Sequence, residues 1–175
     1  MKQSTKFLFL PIVMFAFTVS TFAQVEAYAT ASATIVAPIA IAKVTDMNFG
    51  NIAAGAAAGS VVLSPAGART PTNVTLPATT GTVTAASFTV SGTLNYTYSI
   101  TLPAGATTIT NGAQTMTVNT WTSNPTPTGI LSTAPGTETL TVGATLTVGA
   151  SQTPGAYSSS NAGGSGDFTV TVNYN

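Results

Sequence analysis

Apolar and polar residues alternate strictly in one short run of this chain after another. Tyr96, Tyr98, Ile100 and Leu102 fall on one side of the first such run, with Asn95, Thr97, Ser99 and Thr101 on the other. A period of two belongs to a strand with one buried and one wet face. The same pattern joins Phe88 with Val90, Met116 with Val118, Leu140 with Val142, Leu146 with Val148, and Phe168 with Val170, Val172 and Tyr174. Turn signals separate the runs: Ser64-Pro65-Ala66-Gly67, Leu102-Pro103-Ala104-Gly105, Asn111-Gly112, Pro125 to Gly129, Ala134-Pro135-Gly136 and Thr153-Pro154-Gly155. With no helical period between them, these runs predict an all-β chain, a single antiparallel β-sandwich of immunoglobulin-like architecture. Its expected core places Tyr98, Ile100, Leu102, Phe168, Val170 and Val172 on facing strands. Residues 53–59, almost all Ala and Gly, predict a loop, because Gly55 and Gly59 disfavour a helix. The repeated Thr-Leu-Thr-Val-Gly-Ala at 139–144 and 145–150 predicts two strand segments with a bulge or bend at Gly143.

Composition narrows the chemistry. Only 5% of the residues are charged, and there is no His and no Cys. The commonest general base, the commonest metal ligand and the thiol nucleophile are therefore missing, and no enzyme, cofactor or transition-metal site is expected. No stretch concentrates positive charge, which excludes a nucleic-acid footprint. Asp46, Glu138 and Asp167 lack the spacing of a calcium loop and are expected to be solvated loop charges. Lys43 beside Asp46 is expected to be an exposed edge charge rather than half of an isopeptide cross-link. Trp121, the single Trp, lies at an odd offset from Met116 and Val118 and so is expected on the opposite strand face. There it is either an inter-sheet aromatic or, beside Tyr96, Tyr98 or Tyr157, a stacking platform for a sugar.

The N-terminus has a composition of its own: Lys2 and Lys6, an apolar run from Phe7 to Val19 broken by Pro11, then Thr21-Phe22-Ala23. The run is too short for a membrane span and ends on the small residue required before cleavage, so residues 1–23 are expected to be a signal peptide. The expected product starts at Gln24, has no membrane span and is weakly acidic, with Lys43 and Arg69 against Glu26, Asp46, Glu138 and Asp167. Residues 24–37 then form an expected N-terminal strand, ahead of a β-sandwich domain over 38–175. Val25, Ala27, Ala29, Ala31, Ala33 and Ile35 share one face of that strand, and Glu26, Tyr28, Thr30, Ser32, Thr34 and Val36 the other. Pro38 interrupts it by removing a backbone donor.

Several segments in their order are familiar: residues 31–39, Asn48-Phe49-Gly50, Ser64-Pro65-Ala66-Gly67-Ala68-Arg69, the strand from Tyr98 to Pro103, and Val142-Gly143-Ala144-Thr145-Leu146. Pro154-Gly155-Ala156-Tyr157 and the ending Phe168 to Tyr174 complete the set. Together they resemble a Gram-negative family of small exported proteins known only as a domain of unknown function. The 159–166 insert, rich in Ser, Asn and Gly, departs from that pattern. More distantly, Pro-Gly-x-Tyr and the alternating end with penultimate Tyr174 resemble alpha-class chaperone-usher pilins and spore-coat-U-like pilin relatives. The pilin resemblance implies a sandwich that lacks one strand, whose apolar groove is filled by the N-terminal strand of the next subunit. Val25, Ala27, Ala29, Ala31, Ala33 and Ile35 become donor-strand candidates, and Phe168, Val170, Val172 and Tyr174 a C-terminal edge strand. It also implies a homopolymer, a periplasmic chaperone, an outer-membrane usher, and a secreted or cell-surface location (a fimbrium) reached through the periplasm. Two readings stay open: a pilin-like structural subunit, and a monomeric secreted module or adhesin for glycans or cell surfaces, in which residues 25–36 complete their own sandwich.

Overall fold

The computed structural model describes residues 23–175; all but the last residue of the expected signal peptide lies outside the described residues. The chain divides after Thr34 into two units. Residues 23–34 are exposed and belong to no strand or helix. The second unit, from Ile35 to Asn175, carries all the regular structure, and every pairing in it is antiparallel β.

In chain order the strands begin with β1 (Ala40–Thr45), β2 (Asn48–Phe49), β3 (Ala53–Ala54), β4 (Gly59–Leu63) and β5 (Arg69–Thr72). Then come β6 (Val74–Thr75), β7 (Val83–Thr84), β8 (Ala86–Ser91), β9 (Thr97–Thr101) and β10 (Thr107–Asn111). The last four are β11 (Gln114–Asn124), β12 (Thr128–Ile130), β13 (Thr137–Val148) and β14 (Thr171–Tyr174). The larger sheet runs β1-β8-β13-β11-β10, with β4 and β5 continuing from β13. A second sheet runs β12-β9-β14, and β2 with β7 and β3 with β6 form two short ribbons. The loop expected over residues 53–59 is shorter than that, since Ala53 and Ala54 form β3 and Gly59 opens β4, leaving 55–58 between them. Gly59 permits the close pairing there, since a Cβ would run into the Thr72 carbonyl.

The long strand β13 organises the rest. One of its edges pairs with β11, while the other pairs with β8 as far as Val142 and with β4 from Ala144. Gly143 sits where the partner changes, and a Cβ on it would collide with the Leu63 carbonyl oxygen. The expected bend between two segments is therefore one continuous strand serving three partners. Leu140, Val142, Ala144, Leu146 and Val148 are all buried along one face of it. Each Leu or Val so buried contributes about 1.5–3 kcal/mol.

Two apolar clusters share that face. In the first, Phe88 and Val90 of β8 and Leu140 and Val142 of β13 meet Tyr98 of β9 and Val172 of β14, with Leu131 and Val170. In the second, Val61 and Leu63 of β4, Val118 of β11 and Leu146 and Val148 of β13 meet Phe49. The expected phase of the 96–102 and 168–174 runs holds at Tyr98, Val170 and Val172, but Ile100, Leu102 and Phe168 are only half-buried. Nor do the two runs face each other: Val172 pairs with Ile100 in one sheet, and both runs face the larger sheet instead. Phe168 and Val170 precede β14 rather than belonging to it.

Candidate functional site

Two edges of the fold lack a partner and lie side by side. β14 ends the second sheet and β1 ends the larger one, and no ladder joins them. At one end Ala37, ahead of β1, is bonded to Tyr174 of β14; at the other, Lys43 and Thr45 of β1 open onto the same cleft as Asp167 and Phe168, which lead into β14. The strands therefore run in opposite directions, and a cleft of about 1220 Å³ opens where the end of β1 lies near the segment leading into β14. Its apolar floor includes Phe88, Met116, Val118, Leu146 and Trp121.

Trp121 reaches that floor through a bulge. Asn119 pairs with Thr145 and Thr122 with Gly143, so β11 spends one residue more than β13 over this stretch, and Thr120 takes a φ of 50°. The extra residue returns Trp121 to the face of Met116 and Val118, correcting the expected opposite placement. Its ring packs on Phe168 with centroids 4.6 Å apart, and its Nε1–H donates to the Gly105 carbonyl at 3.0 Å.

Two quoted motifs build one rim. Arg69 Nη1 donates to the carbonyls of Phe49 (2.7 Å) and Asn51 (3.0 Å), and the Gly50 N–H donates to Asn48 Oδ1 at 2.8 Å. Gly50 has a φ of 68°, and a side chain there would strike the Thr80 carbonyl. On the opposite rim, Gln152 Nε2 donates to the Thr115 carbonyl (3.2 Å) and to the Tyr157 hydroxyl (3.1 Å), which donates to the Thr153 carbonyl at 2.7 Å. The Pro-Gly-x-Tyr segment is thereby closed into a loop. The insert beyond it covers the edge of β10: Ser158 exchanges both backbone bonds with Thr110, and the Ser165 N–H donates to the Thr108 carbonyl. That edge is blocked, whereas those of β14 and β1 are free.

Of the expected donor face, Val25 is 92% exposed and Ile35 93%, and Ala27, Ala29, Ala31 and Ala33 are exposed as well. Residues 23–39 belong to no strand, so the expected strand over 24–37 is absent from this structure. The Tyr28 hydroxyl donates to Glu26 Oε2 at 2.5 Å, which raises the Tyr28 pKa above its ordinary value. Lys43 and Asp46 form an exposed ion pair at 2.7 Å, and that hydrogen bond raises the Lys43 pKa. Among the described residues no group of three or more acidic side chains is placed to hold a metal.

Residues 39–174 match the family described as a domain of unknown function (DUF4402). The chain belongs to this family. No curated protein and no solved structure matches it. Within the family's matched span lie the rim built by Asn48-Phe49-Gly50 and Arg69, the cleft and both free edges. The span begins just after Ala37 and leaves residues 25–36 outside. Sequence patterning missed two functional elements, the Arg69 brace and the bond from Tyr174 to Ala37. Both join segments far apart in the chain, and nothing local marks them.

Proposed function

We propose that this protein is an exported structural subunit, an immunoglobulin-like β-sandwich that assembles by donating residues 25–36 to the open edge of a second copy. One observation supports this above all. The free edge of β1 and the segment leading into β14 adjoin a cleft with apolar wall, while a twelve-residue alternating segment of the same chain has no strand of its own. Adding a strand satisfies the unpaired backbone groups of the edge, and its alternate side chains pack against the half-buried apolar residues of the cleft, such as Met116, Trp121 and Phe168. Main-chain hydrogen bonds give the joint strength, and the spacing of Val25 to Ile35 gives register. Assembly on the cell surface would use a periplasmic chaperone to hold the open edge before polymerisation and an outer-membrane usher to place the subunits. The reading as a glycan-binding module has less support, because Trp121 already spends its N–H on Gly105 and packs its ring on Phe168.

Ile35→Asp tests the proposal, since it sets a charge in an apolar groove. Size-exclusion chromatography and electron microscopy of the exported protein should show fibres with a subunit-sized repeat for the wild type and folded, unassembled subunits for the variant. A free peptide of residues 25–36 should bind those subunits and raise their melting temperature. A monomeric wild type that gains nothing from the peptide overturns strand donation.

A further inference from the structure

The edge of β10 is closed group by group. In an antiparallel ladder alternate residues turn both main-chain groups to the same side, and on β10 it is Thr108 and Thr110 that turn away from β11, because both bond elsewhere. All four of these groups are taken by residues 158–165. The Thr110 N–H donates to the Ser158 carbonyl at 3.0 Å, and its own carbonyl accepts from the Ser158 N–H at 3.1 Å. The Thr108 N–H donates to Ser165 Oγ at 2.9 Å, and its carbonyl accepts from the Ser165 N–H at 3.0 Å. Two side-chain bonds reinforce the closure: Asn161 Nδ2 donates to the Thr110 carbonyl at 2.6 Å, and Thr110 Oγ1 to the Ala162 carbonyl at 3.0 Å. Thr110 is left 1% exposed. The loop also closes on itself, since the Gly166 N–H donates to the Ser159 carbonyl at 2.9 Å.

What the loop covers is a strand with no guard of its own. An edge strand is ordinarily kept from pairing with another chain by a charge, a proline or a bulge. Two other edges of the larger sheet carry such devices: Pro71 lies in β5, and β1 has Lys43 and a break in register between Lys43 and Thr45. β10 has none of them. It reads Thr-Thr-Ile-Thr-Asn in unbroken register with β11, and four of its five residues are β-branched, the kind that suits a pleated surface. Its pattern also fits a second copy of itself. In an antiparallel pair centred on Ile109, Thr108 of each copy lies opposite Thr110 of the other, so the groups now given to the loop would all be satisfied across the joint. We infer that the 158–166 loop is a seal that withholds β10 from the β10 of a second copy, so that the larger sheet ends here instead of running on through a two-fold joint. Such a joint is independent of strand donation, since β10 and β1 end the larger sheet on opposite sides.

Ser158→Pro with Ser165→Pro takes away both N–H groups that the loop gives to β10, and the Ser165 hydroxyl with them. Two glycines in place of residues 158–165 serve where the prolines prevent folding, which Trp121 fluorescence reports. The probe is Ile109→Cys, at the residue on the two-fold axis of the joint, in a chain that has no other cysteine. Facing residues of a non-hydrogen-bonded antiparallel pair have Cα atoms about 4.5 Å apart, within the span of a disulfide. Under mild oxidation of the full chain, Ile109→Cys alone should stay uncross-linked on non-reducing gels, and either opened loop should raise the cross-linked dimer at least tenfold. A Thr139→Cys control, at an exposed position of β13, should cross-link no more with the loop opened than with it sealed. Equal cross-linking at residue 109 in sealed and opened chains overturns the seal. So does a rise at residue 139 as large as that at 109, which is general aggregation. Assembly through residues 25–36 leaves Ile109 unpaired with its copy, so strand donation stands or fails without moving this readout.

Discussion

Tyr98 shows how a single side chain can tie both sheets together. It is fully buried, and its hydroxyl donates to Glu138 Oε2 at 2.8 Å, while the Ile130 N–H donates to the same oxygen at 2.8 Å. β9, β12 and β13 thus meet at one carboxylate. Gly129 must be glycine, because a Cβ there would run into both Tyr98 and Glu138. Burial first, and the bond to Glu138 second, hold the Tyr98 pKa above its ordinary value of 10.0. Below that pH both folded and unfolded chains keep the proton, and the interaction contributes in full. Above it the unfolded chain releases a proton that the folded chain retains, so stability falls as pH rises. The melting temperature should therefore decline from about pH 10 upward. Tyr98→Phe should melt lower at neutral pH yet decline less steeply above about pH 10. Parallel slopes for the two proteins would remove Tyr98 as the cause.

At the scale of the strand, the sequence reveals what is periodic and hides what is counted across partners. The alternation in β8, β9 and β13 shows directly, because each of these strands keeps one apolar face from end to end. β11 does not: its bulge at Thr120 shifts the phase by one residue, and the cause lies in pairing with β13, whose residues 143–145 lie further along the chain. Nothing near Thr120 announces it, since a positive φ is more familiar in Gly or Asn than in a β-branched residue. The unbroken course of β13 was obscured in the same way, as only the change of partner from β8 to β4 explains Gly143. Deleting Thr120 tests the bulge. A straightened β11 should turn Trp121 away from Phe168, and because Trp121 is the only Trp, its fluorescence reports the outcome. Emission should shift to the red and quenching by a soluble quencher should rise, with a loss of about 1–3 kcal/mol in stability. An unshifted spectrum would mean that the bulge moves elsewhere in β11 and that packing, not register, fixes the Trp.

At the scale of the molecule, the N-terminal alternation was legible but the nearness of β1 to the end of the chain was not, because Ala37–Thr45 and Asp167–Tyr174 meet only after folding. What the composition does reveal is the kind of force available to that joint. Among the residues from 23 onward the charges are few, and the one ion pair described, Lys43 with Asp46, is exposed and of little energetic weight. Phe88, Met116 and Trp121 give the cleft apolar wall among polar residues, and the face proposed to be donated carries only Ala, Val and Ile. Assembly of the kind proposed above must then rest on buried area and main-chain hydrogen bonds, neither of which salt screens. Raising ionic strength from about 0.01 M to about 1 M shortens the screening length from roughly 30 Å to roughly 3 Å. The rate and extent of assembly should change by less than about twofold with sodium chloride over that range, a shift worth under about 0.5 kcal/mol. Sulfate at equal ionic strength should promote assembly, because it strengthens the effective burial of apolar surface. Light scattering of the processed protein in the two salts separates these effects. A tenfold loss of assembly in sodium chloride would mean that Glu26, Lys43 and Asp167 hold the joint together, and that burial of the Ala-rich face does not.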